Sequence, residues 1–318
     1  MCSMAHSVIA LTFITSASLA LVVTAYGQSG VTLFVPGTIP TTATTSMAPA
    51  FTPDGGSVYL GQISSNPKSV SIMSSQKIGR DWSAPKLAPF SGRYRDLEPA
   101  FAPSGKYLIF ASNRPASPGK AELDGHYNGE IFPRDGGNLW KVKRTKQGWS
   151  KPEILSPLIN SNSSVFTPSI ASDGSLYFMR ADNGASFHIY RSQMQNGKFE
   201  TPILISFGDA TIPNFDPMVA PDESYIIFSS RRPPLPNTTD LFIAFRTVTG
   251  WGDPIDLRSA LSDNVHGIEA RLSPDGKTLY FSNSRSLSGV DRPGEQFIWQ
   301  VDLSNLLQAH SAGKTRTQ

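Results

Sequence analysis

Short runs of alternating apolar and polar residues recur along the chain, separated by turns rich in Pro, Asp and Gly. The best-formed copy runs from Glu269 to Asn283, where Ala-Arg-Leu and Thr-Leu-Tyr-Phe flank the tripeptide Pro274-Asp275-Gly276. Proline presets φ, aspartate bonds back to its own backbone, and glycine tolerates a positive φ. The segment therefore predicts a hairpin of two short strands joined by a tight turn.

This hairpin pattern occurs five times and is the repeat of the chain. The turns of the five copies contain Pro53, Pro103, Ser172, Pro221 and Pro274, at separations of 50, 69, 49 and 53 positions. Two further strand-like runs follow each hairpin, and in four copies the second run opens with an aromatic residue and a proline, as in Trp149-Ser-Lys-Pro152. Proline suits an outer edge strand, where its missing N–H costs little. Each copy therefore predicts a four-stranded antiparallel meander, the blade of a β-propeller.

The fifth copy lacks a fourth strand of its own. Residues 31–37, which precede the first hairpin, resemble the run that precedes the second hairpin. We therefore expect this N-terminal strand to complete the last blade and close the ring, because closure removes exposed sheet edges. The predicted fold is all-β: a single five-bladed β-propeller of four-stranded antiparallel blades over residues 28–307, followed by a disordered tail over residues 308–318.

The repeat is similar to one found in a known family. The pattern Pro-x-Phe-x-Pro-Asp-Gly-Lys-x-Leu-Tyr-Phe-Ser, followed by Ser-x-Arg-Pro, Asp-Leu-Phe and Trp-Gly-x-Pro, resembles the TolB-type, WD-repeat-like β-propeller repeat of bacterial exported proteins. The resemblance covers residues 31–303 and implies a fold rather than a function. We expect a stand-alone propeller, since the additional domains found in members of this family have no counterpart in the sequence.

The first 27 residues form a separate segment. Val8 to Ala25 are apolar or small and carry no charge, and small residues flank a possible cleavage site after Gly27. This pattern predicts a secretory signal peptide over residues 1–27, with an uncleaved anchor as the alternative. The only cysteine, Cys2, lies within that segment, so the mature chain is expected to have no disulfide. We expect a periplasmic or secreted protein with no membrane span after signal cleavage.

Charge and composition limit the classes of molecule that we expect the protein to bind. The 28 basic and 25 acidic residues are mixed along the chain and give a net charge of +3, whereas a nucleic-acid binder usually carries a clustered basic face. We therefore expect no nucleic-acid partner, and instead a monomer that binds an envelope protein or a polysaccharide. No cofactor motif occurs, and the alternating Asp124, His126, Asn128 and Glu130 miss the spacing of a calcium loop. We predict no metal and no cofactor.

The residue that begins each inner strand is the candidate for chemistry, because it lies at the mouth of the central channel. In chain order these residues are Ala48, Glu98, Thr167, Asp216 and Glu269. An arginine stands 16 positions after each of the three acids but after neither of the other two residues; the arginines are Arg114, Arg232 and Arg285. Acid and arginine therefore occur together.

Two interpretations follow from this co-occurrence. In the first, each acid forms an ion pair with its arginine and fastens two strands of one blade. In the second, the acids and arginines form a ring that binds a polar ligand, since convergent polar groups in a concave site are typical of binding. The longest insertion, residues 115–137, lies on the same face, and its Tyr127 is a candidate for ligand contact.

The predicted function is that of a non-enzymatic exported propeller, which acts as a binding or scaffolding module for an envelope protein or a polysaccharide. The alternative is a glycoside hydrolase that uses Glu98, Asp216 and Glu269, because five-bladed glycosidases that cleave arabinan and fructan carry three inner-strand carboxylates. That alternative requires a general acid with a raised pKa, whereas a paired arginine would lower the pKa.

Overall fold

The computed structural model describes residues 30–34, 46–63, 69–233, 238–261, 267–283 and 297–315. Antiparallel sheets dominate these residues, and five of the sheets form the blades of a ring. The predicted all-β, five-bladed β-propeller is therefore confirmed. The expected signal peptide, residues 1–27, lies outside the described residues, as does Arg285.

The strands are numbered in chain order and grouped by blade. The first strand of the chain, which belongs to blade 5, is β1 (Thr32–Leu33). Blade 1 consists of β2 (Ser46–Phe51), β3 (Ser57–Ile63), β4 (Val70–Ile78), β5 (Asp81–Trp82) and β6 (Lys86–Leu87). Blade 2 consists of β7 (Asp96–Phe101), β8 (Tyr107–Ser112), an inserted hairpin of β9 (Gly125–Tyr127) and β10 (Glu130–Phe132), then β11 (Asn138–Thr145), β12 (Gly148–Trp149) and β13 (Glu153–Ile154).

The remaining blades follow the same plan. Blade 3 consists of β14 (Val165–Ile170), β15 (Leu176–Arg180), a short 3-10 turn (Asp182–Gly184), β16 (His188–Ser192), β17 (Met194–Gln195), β18 (Lys198–Phe199) and β19 (Ile203–Leu204). Blade 4 consists of β20 (Asn214–Val219), β21 (Tyr225–Ser230), β22 (Asp240–Thr247), β23 (Gly250–Trp251) and β24 (Ile255–Asp256), and helix α1 (Leu257–Leu261) follows it. Blade 5 consists of β25 (Ile268–Leu272), β26 (Thr278–Asn283) and β27 (Phe297–Asp302), and helix α2 (Ser304–Thr315) follows it.

The hairpin turns form as their residues predict. In the opening copy, the Gly276 N–H donates to the Ser273 carbonyl oxygen at 2.9 Å with a φ of 69°, and the Asp275 carboxylate accepts the Lys277 N–H at 3.1 Å. Blade 4 places Glu223 at the glycine position with a φ of 56°. That side chain accepts hydrogen bonds from blade 3, so the turn also joins two blades.

The N-terminal strand closes the ring as predicted. Strand β1 pairs antiparallel with β27, with Thr32 opposite Gln300 and Leu33 opposite Trp299. The N–H of Phe34 extends this pairing and donates to the Ile298 carbonyl oxygen at 2.8 Å. The described part of the predicted closing segment ends at this residue, and residues 35–37 lie outside it.

Hydrophobic side chains fill the spaces between neighbouring blades. At the closing junction, Phe34 of blade 5 packs edge-on against Tyr280, with ring centroids 4.9 Å apart, and contacts Phe51 of blade 1 at 5.6 Å. Similar clusters lie between blades 1 and 2, 2 and 3, 3 and 4, and 4 and 5. Because each blade buries its faces against its neighbours, the ring as a whole forms the core.

The expected disordered tail, residues 308–318, is wrong for most of its length, because helix α2 continues to Thr315. Asp302 starts this helix by accepting the Ser304 N–H at 2.7 Å, which is the role of an N-cap side chain. Leu306 and Leu307 pack against the core between blades 4 and 5, and the ring of His310 stacks on Phe245 with centroids 3.6 Å apart. Packing against the propeller therefore stabilises a helix whose own sequence is only weakly amphipathic.

Within the described parts of the chain, neither helix has the length and apolar character needed to cross a bilayer.

Candidate functional site

Each inner strand contains a β-bulge at its channel end. The pairing register shifts at the same position in all five blades, for example between Leu97 and Ala100 in blade 2. One non-glycine residue in each bulge has a positive φ; these are Ala48 (47°), Glu98 (52°), Thr167 (46°), Asp216 (51°) and Glu269 (57°). They are the five residues that the sequence places at the channel mouth. A positive φ is strained for such residues, and most strongly for the β-branched threonine.

The three acids are brought together by the ring and are buried. Glu98 and Asp216 are 4% exposed, and Glu269 is 7% exposed. The carboxylate of Glu98 accepts the backbone N–H of Thr167 in the next blade at 2.7 Å. Each of these side chains therefore belongs to the interior of the channel rather than to its outer surface.

Asp216 makes the same kind of bond to blade 5. Its carboxylate accepts the backbone N–H of Glu269 and, at 3.2 Å, the hydroxyl of Thr167. Within its own blade it accepts the Ser229 hydroxyl at 3.1 Å, and Glu269 accepts the Ser282 hydroxyl at 3.0 Å. A carboxylate at one bulge thus binds the backbone at the next bulge, which links the inner strands around the channel.

Burial and mutual repulsion raise the pKa values of this cluster. Burial, followed by repulsion from Asp216, raises the pKa of Glu98 to about 7. Burial, followed by repulsion from Asp216 and Glu98, raises the pKa of Glu269 to about 8. Burial also raises the pKa of Asp216, against the hydrogen bond from Ser229. At neutral pH the cluster therefore retains protons that isolated carboxyl groups would lose.

Arg271 is the residue of this site that the sequence reasoning missed. It is 3% exposed, and its positive charge offsets part of the rise in the pKa values of all three acids. Its Nη1 donates to the Ala270 carbonyl oxygen at 2.8 Å, whereas its Nε and Nη2 have no hydrogen-bond acceptor among the described residues. Burial lowers the pKa of this guanidinium. The site therefore offers buried donors beside buried acceptors.

A signal for Arg271 was present in the repeat alignment. The corresponding inner-strand positions in blades 1 to 4 are Ala50, Ala100, Ser169 and Met218. A single charged residue in a column of small or apolar residues that faces the channel marks a special position.

The predicted ion pairs within blades 2 and 4 are wrong, because both arginines bind a residue two positions before the acid. Arg114 Nη2 lies 2.6 Å from Asp96 Oδ1, and that carboxylate is fully buried. Arg232 Nη2 donates to Asn214 Oδ1 at 2.7 Å. The bulge is the physical reason, because the register shifts between Leu97 and Ala100, so that Asp96 pairs opposite Ser112 whereas Glu98 lies within the irregular part of the strand.

Tyr127 lies in the inserted hairpin of blade 2, where its ring is packed rather than open. The ring stacks on Phe132 with centroids 4.2 Å apart and contacts Phe187 of blade 3 at 5.0 Å. Its hydroxyl donates to Asp135 Oδ2 at 3.1 Å. These contacts hold the insertion against blade 3, and ligand contact by Tyr127 stays a prediction.

Among the residues that the structure describes, no three His, Cys, Asp or Glu side chains form a group that could hold a metal ion.

Comparisons with known proteins agree with the fold. The chain aligns with a thermostable family-43 glycoside hydrolase with a TM-score of 0.52 and 17% identity, over 84% of this chain and 90% of that one. The chain is a five-bladed β-propeller. TolB from Acinetobacter baumannii aligns with this propeller at a TM-score of 0.47 and 15% identity, over 81% of this chain and 54% of that one. The propeller thus spans about half the length of that protein.

A putative TolB from Agrobacterium tumefaciens also aligns with the propeller, at a TM-score of 0.48 and 14% identity, over 81% of this chain and 90% of that one. No protein-family model matches the sequence. No curated protein matches it either. Identities this low establish a shared fold alone.

Proposed function

We propose that this chain is an exported, non-enzymatic propeller that binds a polysaccharide of the cell envelope at the channel site. The observation that carries the proposal is the buried guanidinium of Arg271, which has two N–H donors without an acceptor among the described residues. A buried donor without a partner costs about 1–3 kcal/mol, so an incoming oxygen atom gains that free energy on binding. The site is therefore suited to a ligand that accepts hydrogen bonds.

The acids favour a ligand that also donates hydrogen bonds. Glu98, Asp216 and Glu269 present carboxyl oxygens close to Arg271, and a sugar hydroxyl both donates to such oxygens and accepts from a guanidinium. A chain of neutral sugars meets both requirements without bringing a net charge into a buried site. An envelope protein is the other partner class that the exported location suggests, and it would have to insert a polar side chain.

Binding is favoured over catalysis because the acids already have structural partners. Glu98 and Asp216 accept backbone N–H groups from neighbouring blades. A glycosidase needs one carboxyl group that protonates the leaving oxygen and one that activates water or attacks the sugar, and both must contact substrate. Side chains that are 4–7% exposed are positioned to anchor a ligand terminus rather than to flank a glycosidic bond.

Glycoside hydrolysis is the second candidate, since the raised pKa values favour it. Arg114 and Arg232 bind other residues, so they do not lower the pKa of Glu98 or Asp216 as the sequence had suggested. A carboxyl group with a pKa of about 8, as at Glu269, is protonated at neutral pH and meets the requirement for a general acid. The similarity in fold to a family-43 glycoside hydrolase supports the same candidate.

Titration of the mature protein with arabinan and related neutral glycans, together with an assay for released reducing ends, tests both functions. We expect binding without turnover, weakened at least about tenfold by Arg271→Gln and by Glu269→Gln, because each change removes a group that a hydroxyl contacts. Glu130→Gln, on the exposed strand β10, is the matched control and should bind as the wild type does. Turnover that Glu269→Gln abolishes would instead establish the hydrolase, and unchanged affinity in both channel variants would rule out this site.

A further inference from the structure

A cleft of about 500 Å³ lies beside blade 2, between the inserted loop and the connection that leads into β7. Its lining includes the basic residues Arg93, Lys120 and Arg134, together with the acidic residues Glu122 and Asp124. The volume falls within the usual range for small-molecule sites. The cleft is separate from the buried acids of the channel, and its inserted loop leaves blade 2 after Ser112, at the end of the sheet where β7 begins.

The walls of the cleft are fixed by one buried side chain, that of Asn113, which is 1% exposed. Its Oδ1 accepts the Arg95 N–H at 2.9 Å, and its Nδ2 donates to the Arg134 carbonyl oxygen at 2.9 Å and to Glu122 Oε2 at 3.2 Å. Its own carbonyl oxygen accepts the Leu123 N–H at 2.8 Å. Three separate segments are thereby held around the cleft, which reduces the entropy lost when a ligand binds.

Arg134, in the lining of the cleft, has a strained backbone and binds both acids of the lining. Arg134 has a φ of 61°, and its N–H donates to Asp124 Oδ1 at 2.7 Å. Its guanidinium Nε lies 2.7 Å from Glu122 Oε2. Strain of this kind persists only where surrounding contacts impose it, and it is concentrated at functional sites. Because Arg134 and Glu122 form a salt bridge, their opposite charges neutralise each other within the lining.

The two remaining basic side chains give the cleft its preference for an anion. Neither Arg93 nor Lys120 forms a salt bridge with any acid in the described parts of the chain, although both lie in the lining of the cleft. Arg93 lies over the ring of Tyr94, with its guanidinium carbon 5.3 Å from the centroid. Two cations of the lining therefore have no acid partner among the described residues, and the carboxylate of Asp124 lies in the same lining.

We infer that this cleft binds the carboxylate of a uronic-acid residue in a largely neutral oligosaccharide. The carboxylate accepts charge-assisted hydrogen bonds from Arg93 and Lys120, and the neighbouring hydroxyls donate to Asp124. A polyanionic peptide satisfies the cations equally but is repelled by the acids. This inference names a ligand class for the face used in the proposed function, yet it does not depend on the channel acids.

The test compares two sugars that differ in one carboxylate, with the full mature chain in calorimetric titrations. The probes are xylotriose that carries a single glucuronic acid branch and unbranched xylotriose. We expect the acidic sugar to bind about tenfold more tightly at low salt, and this preference to shrink as added salt screens the exposed cations. Equal affinity for the two sugars, or binding of neither, would overturn the inference.

Two double variants that each remove two positive charges show where the acidic sugar binds. The double variant Arg93→Gln, Lys120→Gln should lose the preference for the acidic sugar, while the double variant Arg80→Gln, Lys151→Gln, which removes the same charge from exposed positions elsewhere, should keep it. A preference that survives the first double variant would overturn the site. Tighter binding of triglutamate than of the acidic sugar would overturn the ligand class.

The channel variant Glu269→Gln separates this inference from the proposed function. We expect it to lose neutral-glycan binding while the preference for the acidic sugar remains. If it abolishes that preference, the carboxylate is bound in the channel rather than in the cleft.

Discussion

Burial decides which carboxyl groups at the centre of the ring keep their protons. Glu269 has a pKa of about 8 and Glu98 a pKa of about 7, against an ordinary value of 4.5. The folded protein therefore binds more protons than the unfolded chain between about pH 4.5 and pH 8. Stability must fall as pH rises through that window, because the carboxyl groups ionise freely in the unfolded chain but are held protonated in the folded protein.

We predict that Glu269→Gln reduces this loss of stability. Glutamine cannot ionise, so the variant should melt close to the wild type near about pH 5 and above it near about pH 9. A gain of about 1 kcal/mol corresponds to roughly 2–4 °C in Tm for a domain of this size. Calorimetric melting curves across the pH range measure the difference, with Glu130→Gln as the control. Parallel pH profiles for the variant and the wild type would contradict the raised pKa.

For individual residues, the sequence predicted the position of a side chain along its strand better than the residue that the side chain binds. The equivalence of Glu98, Asp216 and Glu269 follows from counting along the repeat, and the structure buries all three at the bulge of an inner strand. The partner of Arg114 did not follow, because a bulge changes which side of the strand each residue faces. Bulges depend on strand pairing in three dimensions, so a count of 16 positions cannot reveal them.

At the scale of the strand, the bulge and its flanking residues set the position of each channel side chain. In blade 5 the residue before β25 is Gly267, with a φ of 151°, and blades 2 and 4 have Asp96 and Asn214 at the corresponding position. A Cβ atom at Gly267 would lie 2.2 Å from the Ser282 carbonyl oxygen. That oxygen belongs to β26, so the contact cannot be relieved by moving a side chain.

We predict that Gly267→Ala destabilises the protein by about 2–3 kcal/mol, since either the backbone of β25 or that of β26 must move. Gly252→Ala is the control, because its Cβ would come no closer than 3.4 Å to any atom and its φ is not in the left-handed region. Urea denaturation of the two variants measures the difference. Equal losses of stability would show that β25 adjusts freely.

Strand-level prediction succeeded for the turns and failed for the C-terminal helix. Asp275 and Gly276 have a local role that any hairpin of this type requires, so their sequence alone predicts it. Helix α2 depends on the contacts of Leu306, Leu307 and His310 with the propeller. Its own sequence contains few apolar positions, and tertiary packing supplies what the pattern lacks.

At the scale of the whole molecule, the ring is held closed by the junction between blades 5 and 1. Phe34 is 9% exposed and contacts Phe51, Trp82 and Tyr280 from both blades. The number of blades was predictable because each turn marks one hairpin, and closure was predictable because the fifth unit lacked a strand. The aromatic cluster was not predictable, since it joins residues far apart in the chain.

We predict that Phe34→Ala costs about 3–5 kcal/mol, the usual effect of removing a buried phenylalanine. Leu87→Ala, at a residue 52% exposed on the outer strand of blade 1, should change stability by less than about 1 kcal/mol. Denaturant titration gives both values, and size-exclusion chromatography detects association through an opened sheet edge. A loss at Phe34 no larger than that at Leu87 would mean that the junction does not hold the ring.

The pairing of Thr32 with Gln300, which are 268 positions apart, also sets the order of events during synthesis. The strand that contains Thr32 must wait for the strand that contains Gln300, which is synthesised 268 residues later. At about 5–20 residues per second, the delay is on the order of 10–50 s. Through that time the nascent chain carries an unpaired N-terminal strand with an exposed aromatic side chain. Completion of the ring is therefore a late folding step, and any factor that protects this chain acts before Gln300 appears.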